Sequence, residues 1–350
     1  MQFGIFDQND HGRYPLTEQY DKRLELIGHY DASGFRTYHM SEHHSTPLNL
    51  TPSPSVFLAA IAQRTKRLRF GALVYVLPAH HPLKLAEEIC MLDHLSRGRL
   101  EVGVGRGVSP FELKFNNVDH DDSRDIFFDG YECLVKALSN DPFSHQGKYF
   151  TYGETPMPMR PYQKPYPAMW YGSSNTVGST WAGEHGLHFT ANGPTAQAKP
   201  NIAAFKEALA KRGGAAMPKP EFKGGAAIGI LRHIVVADTD AEAQRIAKPA
   251  FEYHLKSLEW LRDRARAAGG SDLVTRLNIR RGTTFEECIN NGMIFAGSPA
   301  TVRAAIEREM AELGTNYLLA YLFFGTLSFA DAKRSLDLFS KEIMPHLEKI

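Results

Sequence analysis

The chain is short of the features that would make its role easy to read. Only three of its 350 residues are cysteine, Cys90, Cys133 and Cys288. They are far apart and odd in number, with no metal-ligand or redox spacing, so they are expected to be reduced core thiols. No run of about 18 apolar residues exists that could span a bilayer. The first residues lack the basic, apolar, small-residue order of a signal peptide, which predicts a soluble, cytoplasmic protein. Charge of neither sign dominates, with 40 Lys plus Arg against 39 Asp plus Glu. That balance gives no reason to expect nucleic acid or an anionic membrane as partner. No glycine-rich dinucleotide fingerprint follows the first strand, since Gly4 and Gly12 do not supply one. What remains is an ordinary globular composition, 43% hydrophobic and 23% charged, sufficient for a large core.

Short apolar runs alternate with longer amphipathic ones. Strands are predicted at 1–6, 35–40, 69–77, 99–105, 167–172, 188–191, 228–237 and 317–324. Helices are predicted between them: 17–33 with Thr17 as cap, 55–65, one opened by Pro82, 122–138, 176–184, 201–211, and 240–268 with a break near Pro249. A further helix is opened by Ser298-Pro299, and a final stripe runs Phe329, Ala332, Leu336, Phe339, Ile343. Eight strands with helical crossovers predict one TIM (β/α)8 barrel over 1–350. An open doubly wound sheet is the alternative. Two stretches stand outside the alternation. Residues 141–166, rich in proline and aromatics, predict a rim insertion with a hairpin near Gln146-Gly147. Residues 269–292, weakly periodic, predict a mobile connection.

Four constellations lie at predicted strand ends, where barrels of this kind do their chemistry. Glu42, His43 and His44 follow the second strand. Alone they fit a packed histidine pair, a metal site or an acid/base pair. Adjacent histidines on extended chain point to opposite faces, a poor chelate, so no metal is assigned. Gly103 to Gly107 follows the fourth strand. Its glycines, Gly105 included, let backbone approach a ligand, and Arg106 offers a positive fork for phosphate. Gly172, Ser173, Ser174 and Thr176 form a small, hydroxyl-bearing turn ahead of a helix, a second phosphate-binding element. Arg124, opening the 122–138 helix, could assist. Leu73 and Val74 end an apolar strand that suits a flat aromatic ring.

In this order the pieces resemble the bacterial luciferase-like family of flavin-dependent oxidoreductases. The matching text is FGIF at Phe3, SEHH at Ser41, the block FGALVYVLPAHHPLKLAEEICMLDHLSRGRLEVGVGRG from Phe70 to Gly107, DDSRD at Asp121, WAGEHGL at Trp181, AGSPATV at Ala296 and MPHL at Met344. The resemblance implies a TIM barrel holding FMN at the carboxyl ends of its strands. It places Arg106, Ser173, Ser174, Thr176 and Arg124 at the phosphate. It places Leu73 and Val74 at a bulge behind the flavin ring, often with a non-proline cis peptide, and Glu42 beside the flavin. His43 falls on the histidine implicated in the luciferase reaction, with His44 as support. It further implies reduced FMN from a separate NAD(P)H-dependent flavin reductase, a flavin hydroperoxide formed with O2, and a small organic substrate. Gly105 stands where luciferase has a reactive cysteine, so light emission is not expected. The retained histidine pair favours a homodimer over a specialised heterodimer, and residues 269–292 match a lid. Two other functions stay open at this point: deazaflavin-dependent hydride transfer, and flavin binding without turnover.

Overall fold

The computed structural model describes residues 1–107, 109–268 and 282–348. Strands β1 (Gln2–Asp7), β2 (Thr37–Met40), β3 (Arg69–Ala72), β4 (Tyr75–Val76), β5 (Val102–Gly105), β6 (Phe143–Gln146), β7 (Thr151–Thr155), β8 (Met169–Ser173), β9 (His188–Ala191), β10 (Ile228–Val236), β11 (Ile294–Gly297) and β12 (Tyr317–Tyr321) alternate with helices. All but β6 and β7 join one parallel sheet, in the order β3-β2-β1-β12-β10-β9-β8-β5-β4, with β11 beside the late half of β10. The ring closes where Phe70 of β3 pairs with Leu100 ahead of β5. Because β3 and β4 are two pieces of one stave, the closed ring has the eight staves expected of a TIM barrel. Closure excludes the open doubly wound sheet.

Alternate residues of each strand face the barrel interior. Among these are His39, Trp170, His188 and Tyr317, whose rings pack at centroid distances of 4.7 Å (His39–Trp170), 5.1 Å (Trp170–His188) and 5.2 Å (Trp170–Tyr317). This layer plugs the lower barrel and confines open space to the carboxyl ends. Beneath it Glu101 is fully buried. It accepts from Arg36 at 2.7 and 3.1 Å, from Arg69 Nε at 2.6 Å and from Trp170 Nε1 at 2.6 Å. Burial would raise this carboxyl, but the two guanidinium groups hold it well below the usual carboxylate range. The three cysteines are buried, and burial pushes their thiols up to about 11 to 12, which keeps them unreactive. No described helix is long and apolar enough to cross a membrane.

Several local expectations are corrected. The run 69–77 is interrupted by a cis Leu73-Val74 peptide between β3 and β4. Thr17 lies inside its helix (Leu16–Ala32), which Pro15 precedes with no side-chain cap. The helix predicted from Asn201 starts at Thr195 and runs through Pro200, although a proline there gives up the bond to the Ala196 carbonyl. The helix Asp240–Ala267 continues through Pro249. The final stripe divides into Phe329–Leu338, a wider turn at Phe339–Ile343 and Met344–Leu347. The rim hairpin is present as antiparallel β6 and β7. Of the connection 269–292, residues 269–281 lie outside the described residues. The remainder contains a helix, Phe285–Asn290, started by a capping box at Thr284 and Glu287. The unforeseen β11 comes directly after it.

The buried anion at the barrel floor generates a test. Glu101→Leu leaves Arg36 and Arg69 without their shared partner, and stability should fall by about 3–5 kcal/mol in urea unfolding. The carboxyl is depressed in the folded state, so its contribution is complete above its ordinary value of 4.5. It is lost as pH falls below that.

Candidate active site

A cavity of about 320 Å³ opens at the carboxyl ends of the staves. Its wall includes Glu42, His43, His44, Leu73, Val74, Gly105, Arg106, Gly172, Ser173 and Ser174. Ten of the twelve predicted site residues therefore share one space. Thr176 begins the helix behind the turn and is exposed, off the wall. Arg124 is also exposed, its guanidinium over the Phe128 ring at 5.7 Å. Its charge still reaches the wall. Burial raises the Tyr171 hydroxyl, and the charges of Arg106 and Arg124 oppose that rise.

The Glu-His-His segment leaves β2 and is organised by two carboxylates. Glu42 is buried (4% exposed). Its Oε1 accepts from His44 Nε2 at 2.8 Å and from His80 Nε2 at 2.9 Å, and its Oε2 accepts from the Val76 amide at 2.8 Å. Burial alone would raise its pKa, yet these donors bring it below its ordinary value. His80 is raised, because its bond to Glu42 outweighs burial. The second carboxylate, Glu112, comes from a short helix, Pro110–Lys114, capped by Ser109. It accepts from His43 Nδ1 at 3.1 Å and from the His44 amide at 2.8 Å. Burial lowers the His43 pKa, but the adjoining Glu112 charge and hydrogen bond prevail, and the net shift is upward. The His43–Glu112 pair is thus an imidazole with its Nδ1 fixed by a carboxylate and its ring on the cavity wall, an arrangement fit for proton transfer through Nε2. Among the described residues, no group of three or more His, Cys, Asp or Glu side chains could hold a metal ion.

Sequence reasoning missed the site roles of Glu112 and His80. The first is separated from His43 by 69 positions, and its only local signal is the Ser109-Pro110 helix start. His233 and His254 also line the cavity and were not singled out.

Opposite chemistry marks the β5 and β8 ends. Arg106 follows the glycine-rich end of β5. There a Cβ on Gly105 would meet Val74 Cγ2 at 2.4 Å, so the absence of a side chain lets the Leu73-Val74 ledge press against β5. At Gly172 a Cβ would project into open cavity, its nearest neighbour being Thr190 Cγ2 at 3.7 Å. Ser173 Oγ donates to the Asn175 carbonyl at 2.9 Å and accepts from its amide at 3.2 Å, which shapes the turn. Asn175 then caps the helix Thr176–Glu184, accepting from the Gly178 amide at 2.9 Å. An apolar ledge, a bare glycine floor and a cationic, hydroxyl-bearing end fit a flat ring bearing a phosphate-terminated chain.

Fold and site together define a parallel barrel with its binding cavity at the carboxyl rim and an imidazole–carboxylate pair on the wall. Comparison with known proteins makes this specific. The family model of luciferase-like monooxygenases matches residues 1–317, and the chain belongs to that family. It is 35% identical over 329 residues to the uncharacterized protein y4wF of Sinorhizobium fredii, covering 93% of this chain and 92% of that one. Limonene 1,2-monooxygenase of Rhodococcus erythropolis is 27% identical over 328 residues, 92% of this chain and 80% of the relative. The oxygenase component of the flavin-dependent trigonelline monooxygenase of Acinetobacter baylyi is 26% identical over 353 residues, 99% and 95% of the two chains. Among solved structures, monooxygenase RslO1 of Streptomyces bottropensis superposes with a TM-score of 0.83 at 25% identity, over 99% of both chains. Two more distant structures share the fold. One is the oxygenating constituent of 3,6-diketocamphane monooxygenase from Pseudomonas putida in complex with FMN (TM-score 0.80, 23% identity, 99% and 98% covered). The other is the coenzyme F420-dependent tetrahydromethanopterin reductase of Methanopyrus kandleri (0.72, 19%, 99% of both).

The carboxylate pairing of His43 can be read in solution. Glu112→Gln removes the charge that raises the His43 pKa, so its NMR titration midpoint should move down. In the wild-type protein the protonated pair stabilises the fold fully below the ordinary histidine value of 6.5. That contribution should fade as pH rises through the higher folded value, and the variant should lack it.

Proposed function

We propose that the cavity binds FMN and that the protein is a flavin-dependent monooxygenase acting on a small organic substrate. The observation that carries this reading is the meeting, in one cavity, of the Leu73-Val74 ledge, the Arg106 and Ser173-Ser174 end, and the His43–Glu112 pair. Arg106, Ser173 and Ser174 would receive the phosphate, with Thr176 at the helix start and the Arg124 charge behind it. Leu73 and Val74 would back the ring, and Gly105 and Gly172 would leave room for it. Reduced FMN, when bound, supplies the electrons with which O2 is activated. His43 Nε2 gives or takes the proton at the reacting edge. Glu112 orients its ring through Nδ1, and Glu42 with His44 and His80 keeps the segment from moving. The apolar wall excludes water.

Support for the flavin comes from relatives and fold neighbours. The trigonelline enzyme is named a flavin-dependent oxygenase component, and the diketocamphane constituent holds FMN on this fold. The word component favours a second protein, a flavin reductase working with NAD(P)H in the cytoplasm, as source of the reduced cofactor. A homodimer is supported by exposed apolar side chains on two packed helices (Pro54–Arg64 and Pro82–Ser96): Val56 is 73% exposed, Met91 52% and Leu95 48%.

Titration by fluorescence quenching should show one FMN bound per chain, in preference to deazaflavin coenzyme; a reversed preference contradicts the proposal. Arg106→Ala should weaken FMN binding by about 1.5–3 kcal/mol, roughly ten- to 150-fold. His43→Ala should bind FMN normally. Supplied with reduced FMN, O2 and a panel of terpene and cyclic-ketone probes, it should lose the product formation seen with wild type. Unchanged turnover would remove His43 from the chemistry.

A further inference from the structure

The cavity has a second polar pole that the reading above leaves unused. On β10 the inward-facing residues at the carboxyl end are Leu231 and His233, both on the cavity wall. His233 is 8% exposed, and its Nε2 has no hydrogen-bond partner among the described residues. A buried polar atom left unmet costs about 1–3 kcal/mol, so the position calls for a ligand atom. Rings hold the imidazole in place: Tyr321 at 4.8 Å, Phe324 at 4.8 Å, Phe251 at 4.9 Å and His254 at 4.7 Å.

His254 stands behind it on the helix Asp240–Ala267 and is itself 2% exposed. Its Nδ1 lies 3.3 Å from Asp10 Oδ2. Asp10 is immobilised in turn. It accepts from the Tyr321 hydroxyl at 3.0 Å, from the Gly325 amide at 2.7 Å and from Arg23 Nη2 at 3.1 Å. These bonds tie the end of β1, the end of β12 and the long helix to one carboxylate. The pole is built and rigid, not a chance gathering of side chains.

Its position selects what it would meet. In the ring of eight staves β10 lies four steps from the β3–β4 stave in either direction. His233 therefore faces the Leu73-Val74 ledge across the mouth. Phe6, Leu48, Leu231, Leu258, Leu261 and Met293 give the cavity much of its wall, with Gln8 and Ser41 among its polar residues. Burial, reinforced by the charge of His254, holds the His233 pKa well below 6.5. A neutral imidazole brings no charge to offset the cost of desolvating a carboxylate or phosphate. It suits an uncharged group that can share one hydrogen bond.

We propose that His233, positioned by His254 and Asp10, orients the substrate by hydrogen-bonding a hydroxyl or carbonyl on an otherwise apolar, uncharged molecule lying between it and the Leu73-Val74 ledge. This rests on the ledge being the flavin's seat, and it names the substrate class of that site. His233 sets orientation and selectivity, whereas the proton chemistry stays with His43.

The test uses FMN-loaded protein and two probes of one carbon skeleton, menthol and p-menthane, titrated against the flavin spectrum. Wild type should bind menthol about tenfold more tightly than p-menthane. His233→Leu should bind FMN as before and lose the preference, and His233→Gln, which keeps a hydrogen-bonding group, should retain much of it. Equal affinities in wild type, a preference that survives in His233→Leu, or no binding of either probe would each overturn the proposal. Protein that takes up no FMN would instead overturn the flavin reading on which it rests, and the FMN titration made first separates the two failures.

Discussion

The candidate site depends on one buried carboxylate. Glu42 leaves β2 and takes donors from three directions: His44 beside it, His80 beyond β4, and the Val76 amide in β4 itself. Burying an anion is costly unless it is met by hydrogen-bond donors, and here the donors bring its pKa below the ordinary value. The consequence is geometric. The end of β2, which carries His43, is tied to the stave that carries the Leu73-Val74 ledge. The Leu73-Val74 ledge and the His43 imidazole are thereby held in one relation.

The second carboxylate completes what the first begins. Glu112 fixes His43 Nδ1 and the His44 amide together, so backbone and ring are set by a single side chain. The short helix that brings Glu112 is defined by Ser109 and Pro110. Across the mouth, Asp10 performs the same service for His254. Each pole of the cavity thus contains an imidazole oriented by a carboxylate, His43 by Glu112 and His254 by Asp10, with His233 packed against His254, while Arg106 and the serine turn occupy the β5 and β8 ends between them. The barrel floor of His39, Trp170, His188 and Tyr317 keeps this chemistry at the rim.

Much of this was legible in the sequence, and the parts that were not have identifiable causes. The staves could be read because each is a short apolar run, and all eight were anticipated. Strand β11, Ile294–Gly297, escaped because it is wedged between a weakly periodic stretch and the Ser298-Pro299 helix start. Pro200 and Pro249 misled because an interior proline costs a helix one hydrogen bond and some strain without having to end it, and tertiary packing can offset that cost. Ten of the twelve candidate residues share the cavity because they sit at strand ends, which sequence order alone can place. Glu112, His233 and His254 could not be found that way. Their significance lies in distance to a partner and in an unmet nitrogen, neither of which periodicity records.

The central claim is that this cavity seats a flavin between its cationic end and its ledge, with His43 at the reacting edge. A crystal structure of the FMN complex tests it most directly. The account predicts phosphate at Arg106 and Ser173-Ser174, and the ring against Leu73 and Val74 within reach of His43. A phosphate found at the His233 pole, or a ring seated away from the ledge, would contradict it.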